Sequence, residues 1–248
     1  MNERTGTAGK ALVLGSSRGI GRAVARRLHV DGHQLIVHGQ APGSALEQTA
    51  RELNAPAVCF DVSLAEQSRR GLDRLVEVHG VPRTLVYCAG VNVTVPFEQA
   101  TPEQVTGALG VNFLGAVWTY QRLLPLMADQ PGSCVVTVSS IRGLDPTAGD
   151  RSPFYSAAKA ALNNLTTALA KRYAPRVRIN AVAPGFTLTD MAQTWHTATR
   201  QQAHSGLLGR PAEADEIAAP VAFLAGPDAS YITGQTLTVD GGYTLCGK

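Results

Sequence analysis

Hydrophobic positions in this chain fall into two alternating patterns. Short, largely apolar runs at 11–14, 34–37, 57–60, 84–87, 134–138, 178–183 and 236–239 predict strands, and the β-branched bias of 134–138 predicts one buried on both faces. Between them apolar residues recur at helical spacing: Ile20, Val24 and Leu28 in a helix ending near Gly32, then 45–53, then Leu64, Leu72, Leu75 and Val76 within 63–79. A long helix is predicted from Pro102, capped by Thr101, through 111–115 to a stop before Pro131. Another starts at Pro153, with Ser152 as its cap, and runs to about Tyr173; a further one covers 215–224. Strand and helix alternate throughout, which predicts an α/β fold: a parallel sheet with helices on both faces and ligands at the C-terminal strand ends.

At 248 residues, with 44% hydrophobic and 17% charged positions and no linker-like break, residues 1–248 are expected to form a single domain. Within it, 186–210 turns polar, the composition of a mobile lid over a substrate. The net charge of +3 is modest and no run of Lys or Arg argues for nucleic acid or a membrane as partner. Arg26-Arg27 and Arg69-Arg70 read as solvated helix faces. Cys59, Cys88, Cys134 and Cys246 have no C-x-x-C spacing and read as buried, reduced thiols. His196 and His204 lack partners at metal-ligand spacing, so no metal site is predicted. The N-terminus carries no signal-peptide core and no run is long enough for a membrane span, so a cytoplasmic location is expected.

Candidate chemistry collects at the predicted strand ends. The first strand runs into G-S-S-R-G-I-G, Gly15 to Gly21, and then a helix. Such a turn is either purely structural or brings backbone N–H groups and the positive end of a helix dipole to a pyrophosphate. An acid after the second strand would bind the ribose 2′-hydroxyl of NAD, yet the chain there reads H-G-Q-A-P-G. With Arg18 inside the glycine turn, this favours a 2′-phosphate and hence NADP(H); the other reading leaves Arg18 facing solvent. Asp61, at the third strand's end, either caps the next segment or receives an adenine amino group. Asn112 sits mid-helix, where its amide competes with the backbone. It marks a kink, a bound water or a site, or else a packing hydrogen bond.

Ser140 lies where the fifth strand ends, and Tyr155 and Lys159 are four residues apart on one helix face. A hydroxyl, a phenol and an ammonium can therefore converge. An adjacent ammonium stabilises phenolate, which would turn Tyr155 into a reversible acid/base. The alternative for Y-x-x-x-K alone is an ordinary surface pair.

The ordered set G-x-x-x-G-x-G, D-V, A-G, V-N-x-x-G, S, Y-x-x-x-K, N-A-V-A-P-G and T-G-Q-T-L-T-V-D-G-G resembles the short-chain dehydrogenase/reductase family over nearly the whole chain. Its G-S-S-R-G-I-G, P-G-F-T-L-T-D-M and G-R-P-A-E are most similar to the 3-oxoacyl-acyl-carrier-protein reductase branch. The resemblance implies a Rossmann-like, doubly wound sheet of seven parallel strands, a homotetramer, and Asn112, Ser140, Tyr155 and Lys159 as catalytic residues. In that scheme Ser140 holds the substrate carbonyl, Tyr155 donates the proton, Lys159 binds the nicotinamide ribose and biases the phenol, and Asn112 holds a water that restores the proton. Gly15, Ser17, Arg18, Gly19, Ile20 and Gly21 would cradle the cofactor. Asp61 and Val62 would meet adenine, Ala89 and Gly90 would line the site, and Pro184, Gly185 and Thr187 would meet the nicotinamide end.

Three departures from the family pattern stand out. Leu14 and Cys88 replace a Thr and an Asn, an exchange of a polar for an apolar contact between adjacent strands that can be nearly neutral. The Ser140–Tyr155 interval is a little long. Asp129 stands at the end of the long helix, where family reductases place a cation for the acidic carrier, with Arg176 as a candidate after the next helix. Docking of an acyl carrier protein would be weakened. The expected reaction is NADPH-dependent reduction of a ketone, first a 3-oxoacyl thioester. A free ketone, sugar or specialised-metabolite alcohol is the alternative substrate, and a non-catalytic NADP-binding sensor the remote one.

Overall fold

Alternate residues of the first strand serve opposite apolar layers: Ala11 and Val13 enter one, Leu12 and Leu14 the other, all fully buried. The computed structural model, which describes residues 9–246, extends this two-sided burial across the sheet. In chain order its main elements are β1 (Lys10–Leu14), α1 (Gly19–Val30), β2 (Gln34–Gly39), α2 (Ser44–Glu52), β3 (Ala57–Cys59), α3 (Ala65–His79) and β4 (Thr84–Tyr87). There follow α4 (Pro102–Leu109), α5 (Gly115–Met127), β5 (Ser133–Val138), α6 (Pro153–Tyr173) and β6 (Val177–Pro184). The chain closes with β7 (Thr187–Leu188), α7 (Thr197–Gln202), β8 (Ala212–Glu213), α8 (Ala214–Ala225) and β9 (Thr236–Val239).

Seven strands form one parallel sheet in the order β3-β2-β1-β4-β5-β6-β9. The order reverses between β1 and β4, the crevice where such sheets bind ligands. Val24 and Leu28 of α1, Leu46 of α2 and Ile217 and Val221 of α8 cover one face. Leu72 and Leu75 of α3, Leu123 and Leu124 of α5 and Leu162 of α6 cover the other. Each fully buried leucine contributes about 1.5–3 kcal/mol. Among the described residues, no helix is long and apolar enough to cross a membrane.

The long helix begins where expected, with Thr101 and Gln104 in a reciprocal capping box. It then widens into a π turn, Gly110–Leu114, before α5. Asn112 lies in that bulge, and the Val111 carbonyl beside it accepts the buried Tyr87 hydroxyl at 2.6 Å.

Several expectations are corrected. Ser152 makes no side-chain cap at α6; its carbonyl accepts Ser156 N, while Ser156 Oγ takes Gly149 N. Residues 186–213 contain a short parallel pairing, β7 with β8, as well as α7. All four cysteines are free, but only Cys134 is buried. Cys59 is exposed because β3 is an edge strand. Leu14 and Cys88 share a backbone bond, Cys88 N to Leu14 O at 3.0 Å, yet their side chains enter opposite layers and do not form one exchanged contact.

Candidate active site

The turn after β1 is shaped by its glycines. Gly15 and Gly19 take φ of +79° and +55°, where side-chain-bearing residues are strained. A Cβ on Gly21 would lie 2.1 Å from the Gly15 carbonyl oxygen, so α1 starts directly against the turn. Arg18 is the N-cap of α1 without a side-chain cap, and the first turn holds no acid. The helix end therefore offers its N–H groups and positive dipole end to an external anion. Ile20 is half-buried against the core, and the Ser17 carbonyl is held by Thr49 Oγ1 at 3.4 Å.

A clamp that sequence reasoning missed holds this turn. His38, at the end of β2, is 2% exposed; its Nδ1 accepts Gly15 N–H at 3.2 Å and its Nε2 lies 3.0 Å from the Phe60 carbonyl oxygen. That bonding assigns the neutral tautomer with the proton on Nε2. Burial pushes the imidazole down to about 4, partly opposed by the Phe60 carbonyl. One sequence signal existed: a histidine inside an apolar strand beside a glycine turn.

No carboxylate follows β2; Gln40 comes next after Gly39 and donates to Asp61 Oδ2 at 2.8 Å. Asp61 Oδ1 accepts Ser63 N and Oγ at 2.9 and 2.6 Å, a turn that precedes α3 without capping it, since Leu64 is the N-cap. Burial raises the Asp61 carboxyl, but these hydrogen bonds outweigh it and leave it below its ordinary value. Val62 packs both its side chain and its carbonyl oxygen against Gly115, each 3.0 Å from where a Cβ there would stand. Arg18 is exposed, with Nε 3.9 Å from Asp190 Oδ2.

The polar residues converge at the ends of β4 and β5. Ala89 backs against Gly15, whose added Cβ would meet the Ala89 backbone at 2.7 Å. A Cβ on Gly90 would stand 3.0 Å from Asn112 Oδ1 and 3.6 Å from Lys159 Nζ, so Gly90 brings two of the four candidates together. Asn112 is fully buried: its Oδ1 accepts Val91 N, and its Nδ2 donates to the carbonyls of Val91 and Ala108 at 2.8 and 2.9 Å. The packing bond is thus found, within the π turn. Lys159, 3% exposed, donates to the Val138 carbonyl at 2.9 Å, and burial pushes its ammonium down to about 8.

Tyr155 shares the Lys159 face of α6, with the ammonium 5.5 Å from the ring centroid. The expected lowering of the phenol is not found. Burial raises it, with the Ser140 hydroxyl acting in the opposite direction. Ser140 Oγ accepts Arg142 N at 3.1 Å, and the Ser140 hydroxyl is also hydrogen-bonded to the Tyr155 phenol. At the β6 end, Gly185 lies against Asp240, where a Cβ would come within 2.7 Å of the Asp240 Cα. Thr187 is buried there and bonds the Gly185 carbonyl. Arg142 is a second residue that sequence reasoning missed.

A family model described as Enoyl-(Acyl carrier protein) reductase matches residues 15–244. The chain belongs to the short-chain dehydrogenase/reductase family. It is 35% identical over 239 residues to carbonyl reductase family member 4 of Danio rerio, covering 95% of this chain and 98% of that one. It is 37% identical over 236 residues to the 3-oxoacyl-[acyl-carrier-protein] reductase of Mus musculus, covering 94% and 97%. A solved gluconate 5-dehydrogenase from Burkholderia cenocepacia, in complex with NADP and tartrate, superimposes with a TM-score of 0.89 at 26% identity, covering 98% and 97%. This family member is therefore an oxidoreductase using a nicotinamide cofactor.

Proposed function

We propose that the chain is an NADP(H)-dependent carbonyl reductase, with a 3-oxoacyl thioester as first substrate class. The observation that carries the reading is the gathering of Ser140, Tyr155, Lys159 and Asn112 beside the uncapped start of α1. The residues fit a dinucleotide: glycines leave a cradle, no acid follows β2, and Arg18 is available to a 2′-phosphate. Gly15, Ser17, Arg18, Gly19, Ile20 and Gly21 would hold the phosphates, and Asp61 and Val62 the adenine. Ala89, Gly90, Lys159, Pro184, Gly185 and Thr187 would flank the nicotinamide half, which supplies hydride when bound.

Ser140, whose hydroxyl bonds the Tyr155 phenol in the free protein, turns its proton to the substrate oxygen and positions it beside that phenol. Tyr155, whose phenol is kept neutral at physiological pH, then gives its proton to that oxygen as negative charge develops. Lys159 carries its charge below about pH 8 and stabilises the phenolate left behind. A water between Lys159 and Asn112 restores the proton. The test compares NADPH consumption with a carrier-bound 3-oxoacyl chain and with the same chain as a small thioester. Turnover of either upholds the reductase class, and none on any ketone, in either direction, refutes it.

A second reading takes a free ketone or alcohol. It is favoured by Asp129 at the end of α5, where a cation would be needed to receive an acidic carrier. Lys171 and Arg172 close α6 but leave the α5 end without positive charge. We also propose a homotetramer, with α5 and α6 as the symmetric faces; a monomer in sedimentation overturns it.

A further inference from the structure

The described residues include four partly buried arginines, and three of them meet a carboxylate or several carbonyls. Arg22 and Arg122 each pair with a carboxylate, Glu52 and Asp73, and Arg178 bonds the carbonyls of Leu224, Ala225, Gly226 and Ile232. Arg142 differs. Its backbone N–H donates to Ser140 Oγ, so its side chain leaves from the turn of the proposed catalytic serine. The guanidinium uses Nη1 on the Thr147 carbonyl at 3.1 Å and Nη2 on Gln202 Oε1 at a long 3.4 Å. Most of its five N–H donors stay uncommitted, and no carboxylate is among its partners. Asp145 and Asp150 line the same cavity of about 430 Å³ without pairing with it.

The surroundings of the guanidinium are aromatic. The guanidinium lies over the Phe186 ring, 5.5 Å from its centroid, and Phe186 meets Trp195 and Tyr243 edge-on. Three aromatic rings and a cation that bonds no carboxylate thus form one cluster. Its field reaches the reacting group, since Arg142 acts to lower the Tyr155 phenol against the effect of burial. A half-buried guanidinium without a counter-charge is costly unless a ligand completes it, and a carboxylate fits its planar fork bidentately.

We infer that Arg142 selects substrates bearing a free carboxylate, so that the carbonyl reduced here belongs to an oxo acid. The inference rests on the reductase reading and narrows it to the free-substrate branch. Acetoacetate and levulinate are assayed against their methyl esters with NADPH, using wild type, Arg142→Gln and Arg142→Lys. Wild type is expected to favour the acids, and Arg142→Gln to shrink the acid-over-ester ratio of kcat/KM by about tenfold to a hundredfold, mainly through KM, with partial rescue by Arg142→Lys. A wild type indifferent to the carboxylate, or an equal loss on acid and ester, overturns the proposal and leaves Arg142 as a tie between Thr147 and Gln202. Calorimetric titration of levulinate and its ester into NADP+-loaded protein separates the two levels. Tighter, Arg142-dependent binding of levulinate without turnover upholds the inference while the reductase reading fails. Equal binding overturns the inference even if the ester is reduced.

Discussion

Lys159→Met separates what Lys159 contributes to catalysis from what it costs the fold. The side chain is 3% exposed, and burial lowers its ammonium from 10.5 to about 8. At about 1.4 kcal/mol per unit, the folded protein carries the charge at neutral pH at a cost of about 3 kcal/mol relative to the unfolded chain. Methionine fills nearly the same volume and removes that cost, but leaves the Val138 carbonyl without its donor, a loss of about 1–2 kcal/mol. The variant should therefore be about 1–2 kcal/mol more stable than wild type at pH 7 in denaturant titrations of the cofactor-free protein, while losing turnover. The pH dependence comes from the sign of the shift. Because the unfolded chain binds the proton more tightly, wild-type stability rises between about pH 8 and 10.5, and the gap between variant and wild type falls across that window. A variant less stable than wild type at pH 7, or a gap constant up to pH 10.5, would refute the reasoning.

Tyr155→Phe should lower turnover by about 10²–10⁴-fold while NADPH affinity, read by fluorescence, stays within a few-fold; retained turnover removes Tyr155 from the proton step. Gly21→Ala should drive a methyl into the Gly15 carbonyl, 2.1 Å away, and cost about 1–3 kcal/mol together with cofactor affinity. An unchanged Kd and Tm would show that the turn yields instead. His38 is neutral when folded, with its imidazole moved from 6.5 to about 4, so stability present above pH 6.5 is lost as pH falls toward 4, by about 3 kcal/mol. His38→Asn should remove that part of the slope, and an identical pH profile in the variant contradicts the clamp.

The seven strands and main helices were legible because burial on two faces demands continuous apolar runs, while helices need apolar residues only on one side. Errors arose where a neighbour distant in sequence decides. Cys59 looks like its buried counterparts until the sheet order makes β3 an edge. Ser152 has the chemistry of a cap, but the loop from Ser140 to Ser152 directs α6's first bonds elsewhere. The distinct faces of Leu14 and Cys88 depend on strand register and on where each strand ends.

The sequence by itself determined the glycine turn, the absence of an acid after β2 and the shared face of Tyr155 and Lys159, because these depend on φ angles, charge and a helical period within a few residues. Only the tertiary structure decided that Asn112 binds Val91, that His38 clamps Gly15, that burial lifts the Tyr155 phenol rather than lowering it, and that Arg142 lacks a counter-charge. Those outcomes depend on desolvation and on which groups meet across the sheet, and chain neighbours do not encode either.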